Sequence, residues 1–181
     1  ELIAADLVLD GSVPIPEIFA RQARTLGLTT ARTLEFPSVV LGAEGPQLVQ
    51  AKAVDPAYPL RGTLRTRSAL NAPEESMVGG PPRGEVWVES RLLHLLEIET
   101  GDSLRLGEAD FAVTRVIAYE PDRGGNLFQL APRVLLNAAD VPATGLVTPA
   151  SRVRYRLLVA GEPAALELFR RALGDAPPAN I

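Results

Sequence analysis

One histidine and a few carboxylates are the side chains in this sequence that could carry out acid–base chemistry. His94 is the only histidine, and it lies among leucines in RLLHLLEIE (91–99). Five carboxylates could divide the roles of acid and base: Glu74, Glu75, Glu97, Glu99 and Asp102. They are dispersed in polar stretches or at strand edges. The sequence therefore favours solvated charges, a turn role for Asp102 and a packed or surface helix position for His94.

Metal and covalent chemistry have little support among the residue types. The sequence has no cysteine, which excludes disulfides, thiolate metal sites and cysteine nucleophiles. No second histidine could complete a zinc site, and a site made of carboxylates alone would suit Mg²⁺ or Ca²⁺. Neither the D-x-D-x-D-G calcium loop nor the G-x-S-x-G motif of serine hydrolases is present. We predict no metal and no cofactor.

A glycine-rich stretch followed by apolar residues is the most distinctive candidate for a contact site. DRGGN (122–126) lacks the G-x-x-x-x-G-K-[ST] pattern and the following helix of a phosphate loop, so we expect a mobile surface loop. LFQLAP (127–132) follows it directly. Its apolar side chains form a contact patch if they are exposed and ordinary core if they are buried. Four residues are predicted to contact a partner or substrate: Arg123, Leu127, Phe128 and Leu130.

The composition of the 181 residues is that of a water-soluble globular domain. The net charge is −4 and the isoelectric point is about 5.1, with no basic run, so a nucleic-acid partner is not expected. No apolar run approaches the roughly 18 residues of a membrane helix. No signal peptide is visible, and the first residue is Glu1 rather than Met. We therefore expect a piece of a longer chain.

Two similar strand–helix units are predicted at the two ends of the sequence. DLVLDG (6–11) reads as a strand and PIPEIFARQARTLGL (14–28) as an amphipathic helix. RVRYRLLVAG (152–161) and EPAALELFRRALG (162–174) repeat this plan, with a phenylalanine eight residues after the glycine in both copies. The first unit continues into a predicted hairpin, because GAEGP (42–46) separates two β-rich stretches. The first end is then βαββ and the second βα, and we expect a further strand at or just beyond Ile181.

The middle of the chain is predicted to be mostly β. TRSALNAPEESMVGGPPRG (66–84) reads as a linker or loop, GEVWVES (84–90) as a strand and RLLHLL (91–96) as a short helix. GDSLRLGEADFAVTRVI (101–117) alternates apolar and polar residues on both sides of Gly107, which predicts two strands and a tight turn. The run Val134 to Leu136 predicts another strand.

The predicted fold class is therefore α+β. A split α/β part comprises residues 1–78 and 150–181, and a mostly-β part, residues 79–149, is inserted between its two pieces. No single helical or strand-rich class accommodates both patterns.

Three stretches together resemble the periplasmic domains of bacterial ABC-transporter permeases of the FtsX/MacB type. They are AKAVDPAYPLRGTLR (51–65), residues 84–117 and residues 120–161. The G-D-x-L-x-L-G turn followed by F-x-V is shared broadly in this family, whereas the outer two stretches are more specific to its YbbP-like branch. The resemblance implies a porter-like α/β subdomain built from the two ends, with a sabre-like β subdomain inserted. It also implies transmembrane helices at both termini.

The same resemblance implies a role without catalysis. It suggests a mechanotransmission permease of the bacterial inner membrane, with this domain in the periplasm and ATP hydrolysis in a separate YbbA-like ATP-binding subunit. It further suggests a TesA-like periplasmic esterase or thioesterase as partner and a hydrophobic or lipid-like substrate. Two alternatives from the residues stay open. One is a small hydrolase that uses His94 with Ser90, and the other is a free-standing periplasmic lipid-binding module.

Overall fold

The computed structural model describes residues 4–123 and 131–174, which form a mixed α+β structure. The strands are β1 (Leu7–Gly11), β2 (Thr29–Gly42), β3 (Gly45–Val54), β4 (Arg65–Arg67), β5 (Glu74–Ser76), β6 (Glu85–Glu89), β7 (Ser103–Leu106), β8 (Ala109–Tyr119), β9 (Arg133–Asn137) and β10 (Arg154–Ala160). The helices are α1 (Glu17–Thr25), α2 (Ser90–Leu96), α3 (Val141–Thr144) and α4 (Pro163–Leu173), and a 3₁₀ turn, Ala138–Asp140, precedes α3. This element order confirms the predicted α+β class.

One sheet contains every strand of the described ranges. Its order is β1-β10-β2-β3-β9-β6-β8-β4-β5, and β7 pairs with β8 outside this path. The β3–β9 and β6–β8 pairs are parallel, and the other pairs are antiparallel. Strands from the two chain ends therefore gather on one side of the sheet, and strands from the middle gather on the other. The two groups meet at the β3–β9 pair.

The two helices from the chain ends pack on one face of this sheet. Phe19 and Phe169, which occupy equivalent positions in the predicted repeat, belong to one buried cluster with Leu157 of β10. The two units lie side by side because β1 and β10 pair in antiparallel fashion. The apolar stripe of each helix is thus buried in a core that the two helices share.

The β2–β3 hairpin is longer than the strand beside it. β10 pairs with β2 only from Thr29 to Glu35, whereas β2 continues to Gly42 before the chain turns. Residues beyond Glu35 therefore extend past β10. One face of this extension packs into the largest core, through Phe36, Val40 and Val49.

Gly107 makes the predicted turn between β7 and β8. Its φ of +60° lies in the left-handed region, and a Cβ there would come within 2.1 Å of the carbonyl oxygen of Thr144. The alternation around it is also confirmed, since Leu104, Leu106 and Phe111 are buried.

The prediction of a plain loop for residues 66–84 was wrong in part. This stretch contributes to β4 and contains β5, which pair with each other, and β4 also pairs with β8. The alternation of apolar residues is absent because these short strands carry arginine and glutamate side chains that form ion pairs across them, such as Arg67 with Glu74. The boundaries 1–78, 150–181 and 79–149 stay a prediction, although β4 and β5 pair outside the α/β part to which those boundaries assign them.

Candidate interaction surface

A buried ionic cluster lies where the two groups of strands meet. Its centre is Lys52 of β3, the only lysine in the sequence, whose side chain is fully buried. The Lys52 ammonium donates to Glu120 Oε1 at 2.8 Å, to both carboxylate oxygens of Asp122 at 2.7 Å, and to the Tyr58 hydroxyl at 3.0 Å. The carboxylates come from the segment that follows β8. The cluster therefore joins β3 to the middle part of the chain.

Burial and charge act in opposite directions on the groups around Lys52. Burial would raise the pKa of Asp122, but the Lys52 charge and hydrogen bonds from Lys52 and Tyr58 outweigh it and hold that pKa below its ordinary value. Burial, together with the negative charges of Asp122 and Glu120, raises the pKa of Tyr58, whose hydroxyl donates to Asp122 Oδ1. Asp122 is therefore a carboxylate at neutral pH, and Tyr58 is a neutral donor.

Arg133, at the start of β9, extends the cluster towards β2. Its Nε donates to Glu120 Oε2 at 3.1 Å, and its Nη1 lies 3.6 Å from Glu35 Oε2. Burial works against its charge, but Glu120 and Glu35 keep the pKa of Arg133 above its usual value. Within the described residues, Arg133 Nη1 is buried without a hydrogen-bond acceptor. Glu35 also lies 3.7 Å from Arg156 Nη1 of β10.

A pocket of about 420 Å³ adjoins this cluster at the start of β10. Glu35, Pro37 and Gln50 line it from the hairpin, and Arg152 and Arg154 line it from the approach to β10. The Arg154 guanidinium is paired with Asp10 of β1, where Nε donates to both carboxylate oxygens at 2.8 and 2.9 Å. Burial opposes the ionisation of Asp10, but Arg154 and Arg156 hold its pKa below the ordinary value.

An exposed apolar face begins directly beyond the pocket. Successive residues of a strand point to opposite faces, so Val39 and Leu41 point away from the core that Val40 enters. Leu48 is paired with Val39 across the hairpin. The exposed fractions of Val39, Leu41 and Leu48 are 54%, 82% and 58%. We call these three residues, with Pro46 opposite Leu41, the hairpin face.

Of the four residues that the sequence predicts as contacts, only Arg123 lies within the described residues. Arg123 is partly buried, its Nη1 contacts Glu89 Oε1, and its Nη2 donates to the Ala131 carbonyl at 3.4 Å. Burial and the nearby Arg133 lower the pKa of Arg123 to about 10. The other three predicted contacts lie outside the described residues: Leu127, Phe128 and Leu130. The contact role of all four stays a prediction.

The candidates for acid–base chemistry are not assembled into a site. His94 and Ser90 are both exposed on α2, and among the described residues neither side chain has an ion pair or hydrogen bond. Glu74 pairs with Arg65 and Arg67, and Glu75 pairs with Arg115. Asp102 accepts from the Glu99 backbone N–H at 2.8 Å, as expected for a turn residue. No group of three or more potential metal ligands was found within 4–123 and 131–174.

The ionic cluster and the hairpin face were not predicted from the sequence. One signal was present, because Lys52 is a single charge in the otherwise apolar stretch AKAV (51–54) at the end of β3. A charged residue at such a position is seldom buried unless it is paired. Its two carboxylate partners, however, lie 68 and 70 residues away in the chain, and local patterns do not identify them.

Nearly the whole chain aligns with a segment of a known bacterial permease. Over 173 residues the chain is 36% identical to the ABC transporter permease YbbP of Escherichia coli (strain K12), and this alignment covers 96% of the chain. The chain is similar to one segment of this permease. That confirms the resemblance seen in the sequence. The chain spans 20% of the length of YbbP, the size of one domain. No protein-family model matches the chain.

One solved structure, a periplasmic region, shares the fold of this chain. The periplasmic region of MacB from Actinobacillus actinomycetemcomitans aligns with a TM-score of 0.50 and 10% identity, over 94% of the chain and 84% of that structure. A domain of a permease protein from Porphyromonas gingivalis aligns with a TM-score of 0.45 and 11% identity, over 82% of the chain and 70% of that structure. The chain thus has the fold of the MacB periplasmic region. Of the helices in the described ranges, none has the length and apolar character needed to cross a membrane.

Proposed function

We propose that the chain is a periplasmic domain of an inner-membrane ABC permease of the MacB/FtsX type. In this role it couples ATP hydrolysis in a separate, YbbA-like subunit to the handling or extraction of hydrophobic, lipid-like compounds. It also docks a periplasmic partner, for which a TesA-like esterase or thioesterase is the candidate. The observation that supports this most is the 36% identity to YbbP over nearly the whole chain. The domain itself has no catalytic task in this proposal.

Two features of the structure support a role in coupling. The ionic cluster ties strands from both chain ends to strands from the middle, so a displacement of the ends is transmitted through paired buried charges rather than through a flexible linker. The hairpin face presents uncharged aliphatic side chains to solvent, and exposed apolar surface of this kind marks sites of interaction. Arg123, Leu127, Phe128 and Leu130 remain proposed contacts for the same partner or substrate.

The proposal is tested with the full-length permease and its ATP-binding subunit in lipid nanodiscs. We expect the TesA-like protein or a hydrophobic compound to raise the ATPase rate, and Leu41→Ser to reduce this stimulation severalfold with an unchanged basal rate. Leu168→Ser, on the opposite face in α4 and 54% exposed, is the matched control. A permease whose ATPase rate responds to neither the partner nor any hydrophobic compound would contradict the proposed function.

A further inference from the structure

One face of the hairpin changes from charged to apolar along its length. On β2 the residues that point to this face are Glu35, Pro37, Val39 and Leu41, and their partners on β3 are Lys52, Gln50, Leu48 and Pro46. The Glu35–Lys52 pair belongs to the buried cluster, the Pro37–Gln50 pair lines the pocket, and the last two pairs form the hairpin face. Each pair lies about 7 Å beyond the previous one. Polar pocket and apolar face are therefore continuous.

The charges around the pocket leave one cation uncompensated. Four cations and four carboxylates pair with one another in the cluster and its extension: Lys52, Arg133, Arg154, Arg156, Asp10, Glu35, Glu120 and Asp122. Arg152 lines the same pocket, is exposed, and has no ion pair with any residue of the described ranges. The pocket thus carries one net positive charge, located beside the start of the apolar face.

We infer that the pocket and the hairpin face together bind a single-chain amphiphile with a carboxylate head, that is, a fatty acid. The carboxylate lies in the pocket and accepts hydrogen bonds from Arg152 and from the Gln50 amide. The hydrocarbon chain lies along Val39, Leu48 and Leu41. The inference rests on the proposed function in one respect, since it specifies the substrate class of the same domain.

The single uncompensated charge favours a carboxylate over a phosphate. A carboxylate carries one negative charge, which Arg152 balances, and arginine binds it in a bidentate geometry. A phosphate monoester carries about 1.5 to 2 negative charges at pH 7. The excess would face the Glu35 side chain, which lines the pocket and lies 3.6 Å from Arg133 Nη1 and 3.7 Å from Arg156 Nη1. A dianionic head therefore meets repulsion that a carboxylate avoids.

The geometry of the hairpin face favours an acyl chain over an extended peptide. A peptide strand binds a sheet through free backbone groups at an edge. The hairpin face is instead the flat side of two strands whose backbones pair with each other from Thr33–Val54 to Gly42–Gly45. Its exposed side chains are aliphatic and offer no hydrogen bonds. A hydrocarbon chain requires none, so it gains from burial without leaving polar groups unpaired.

Calorimetric titration of the purified chain tests this inference, with three single-chain probes below their micelle concentrations. The probes are dodecanoate, dodecyl phosphate and dodecyl maltoside, whose straight alkyl tails differ by one carbon at most and whose heads differ in charge. We expect dodecanoate to bind about tenfold more tightly than the neutral maltoside, the effect of one charge-assisted contact. Arg152→Gln should abolish that preference without changing maltoside binding. Leu48→Ser should weaken all three probes.

Two matched variants separate the site from general surface effects. Arg105→Gln removes an exposed arginine from β7, and Leu168→Ser removes an exposed leucine from α4; both should leave dodecanoate binding unchanged. Equal affinity for dodecanoate and maltoside, tighter binding of dodecyl phosphate, or equal losses in the site and control variants would each overturn the inference. Thermal melting of each variant confirms that it is folded.

The titration is independent of the ATPase assay that tests the proposed function. It uses the isolated chain and no ATP. If the isolated chain binds dodecanoate as expected but the ATPase rate of the permease does not respond, only the proposed function is refuted. If the ATPase rate of the permease responds as expected but the isolated chain shows no preference for the carboxylate, only this inference is refuted.

Discussion

At the scale of single residues, the buried charges are the costly feature of this protein. Removing a charge from water costs several kcal/mol, and only well-formed pairs and hydrogen bonds offset that cost. Lys52 satisfies all three of its donors, and Glu120 accepts from both Lys52 and Arg133. Deleting one partner leaves the other charge buried and unpaired. The side chains of this cluster should therefore be far more sensitive to substitution than the exposed ion pairs.

Asp122→Asn tests this sensitivity through pH. The folded pKa of Asp122 lies below the ordinary 3.8, so its ionised form stabilises the fold above that pH, and this contribution is lost as pH falls below 3.8. We expect Asp122→Asn to lower the free energy of unfolding by about 3 kcal/mol at pH 7. In this variant the free energy of unfolding, measured by urea denaturation, should also fall less between pH 4 and pH 2 than it does in the unmodified protein.

The control for this prediction is Asp6→Asn. A side-chain hydrogen bond from Arg61 also lowers the pKa of Asp6, but both partners are open to solvent, which screens the interaction. Its effect at pH 7 should be below about 1 kcal/mol. Equal effects of the two substitutions would mean that the buried cluster does not stabilise the fold as described.

At the scale of elements, turns position the strands whose side chains form the buried cores. The β7–β8 turn leaves the least room for a side chain, because Gly107 adopts a left-handed conformation directly against the backbone of Thr144. The Glu108 N–H donates to the same Thr144 carbonyl at 2.9 Å. This turn therefore also anchors α3 to the sheet.

Gly107→Ala should destabilise the protein for two reasons. The left-handed φ strains an alanine by roughly 1 kcal/mol, and the new Cβ would lie 2.1 Å from a backbone oxygen, so the turn must move. We expect a total loss of about 3 kcal/mol in the free energy of unfolding. Gly84→Ala is the control, since Gly84 has φ +80° with no atom within 4 Å of the added Cβ. Equal losses would show that the contact with Thr144 contributes nothing.

At the scale of the whole molecule, one sheet connects three buried clusters. Phe169 lies in the cluster under α1 and α4, and Trp87, the only tryptophan, lies in a cluster on the other side of the sheet with Tyr58 and Leu135. The sheet lies between these two clusters, and Tyr58 connects the Trp87 cluster to the ionic cluster. We therefore expect the chain ends and the middle to unfold together.

Phe169→Ala tests this cooperativity. Loss of a buried phenylalanine side chain should cost about 3–5 kcal/mol. If unfolding is cooperative, circular dichroism and Trp87 fluorescence should shift to the same lower urea concentration, although Trp87 is distant from the substitution. The exposed neighbour Leu168→Ala should shift neither curve. Two separate transitions, with Trp87 unchanged, would mean that the predicted inserted part folds independently.

The sequence by itself determined the local elements. Alternation on both sides of Gly107, the apolar stripe of the first helix and the glycine-rich gap of the hairpin each specify a structure within about fifteen residues, and all three are present. These patterns are legible because hydrophobic period and turn chemistry act between near neighbours. The polar strand pair β4–β5 lacked such a period and was missed.

Only the tertiary structure decided the candidate site. The gap GAEGP predicts a hairpin, and every strand has two faces. Which face is buried depends on residues that come later in the chain, such as Leu96 and Leu104, which share a core with Phe36 and Val40. The partners of Lys52 likewise come from Tyr58, Glu120 and Asp122, which the sheet brings together. Burial and electrostatic pairing are set by neighbours in space, and the chain order of these residues does not contain that information.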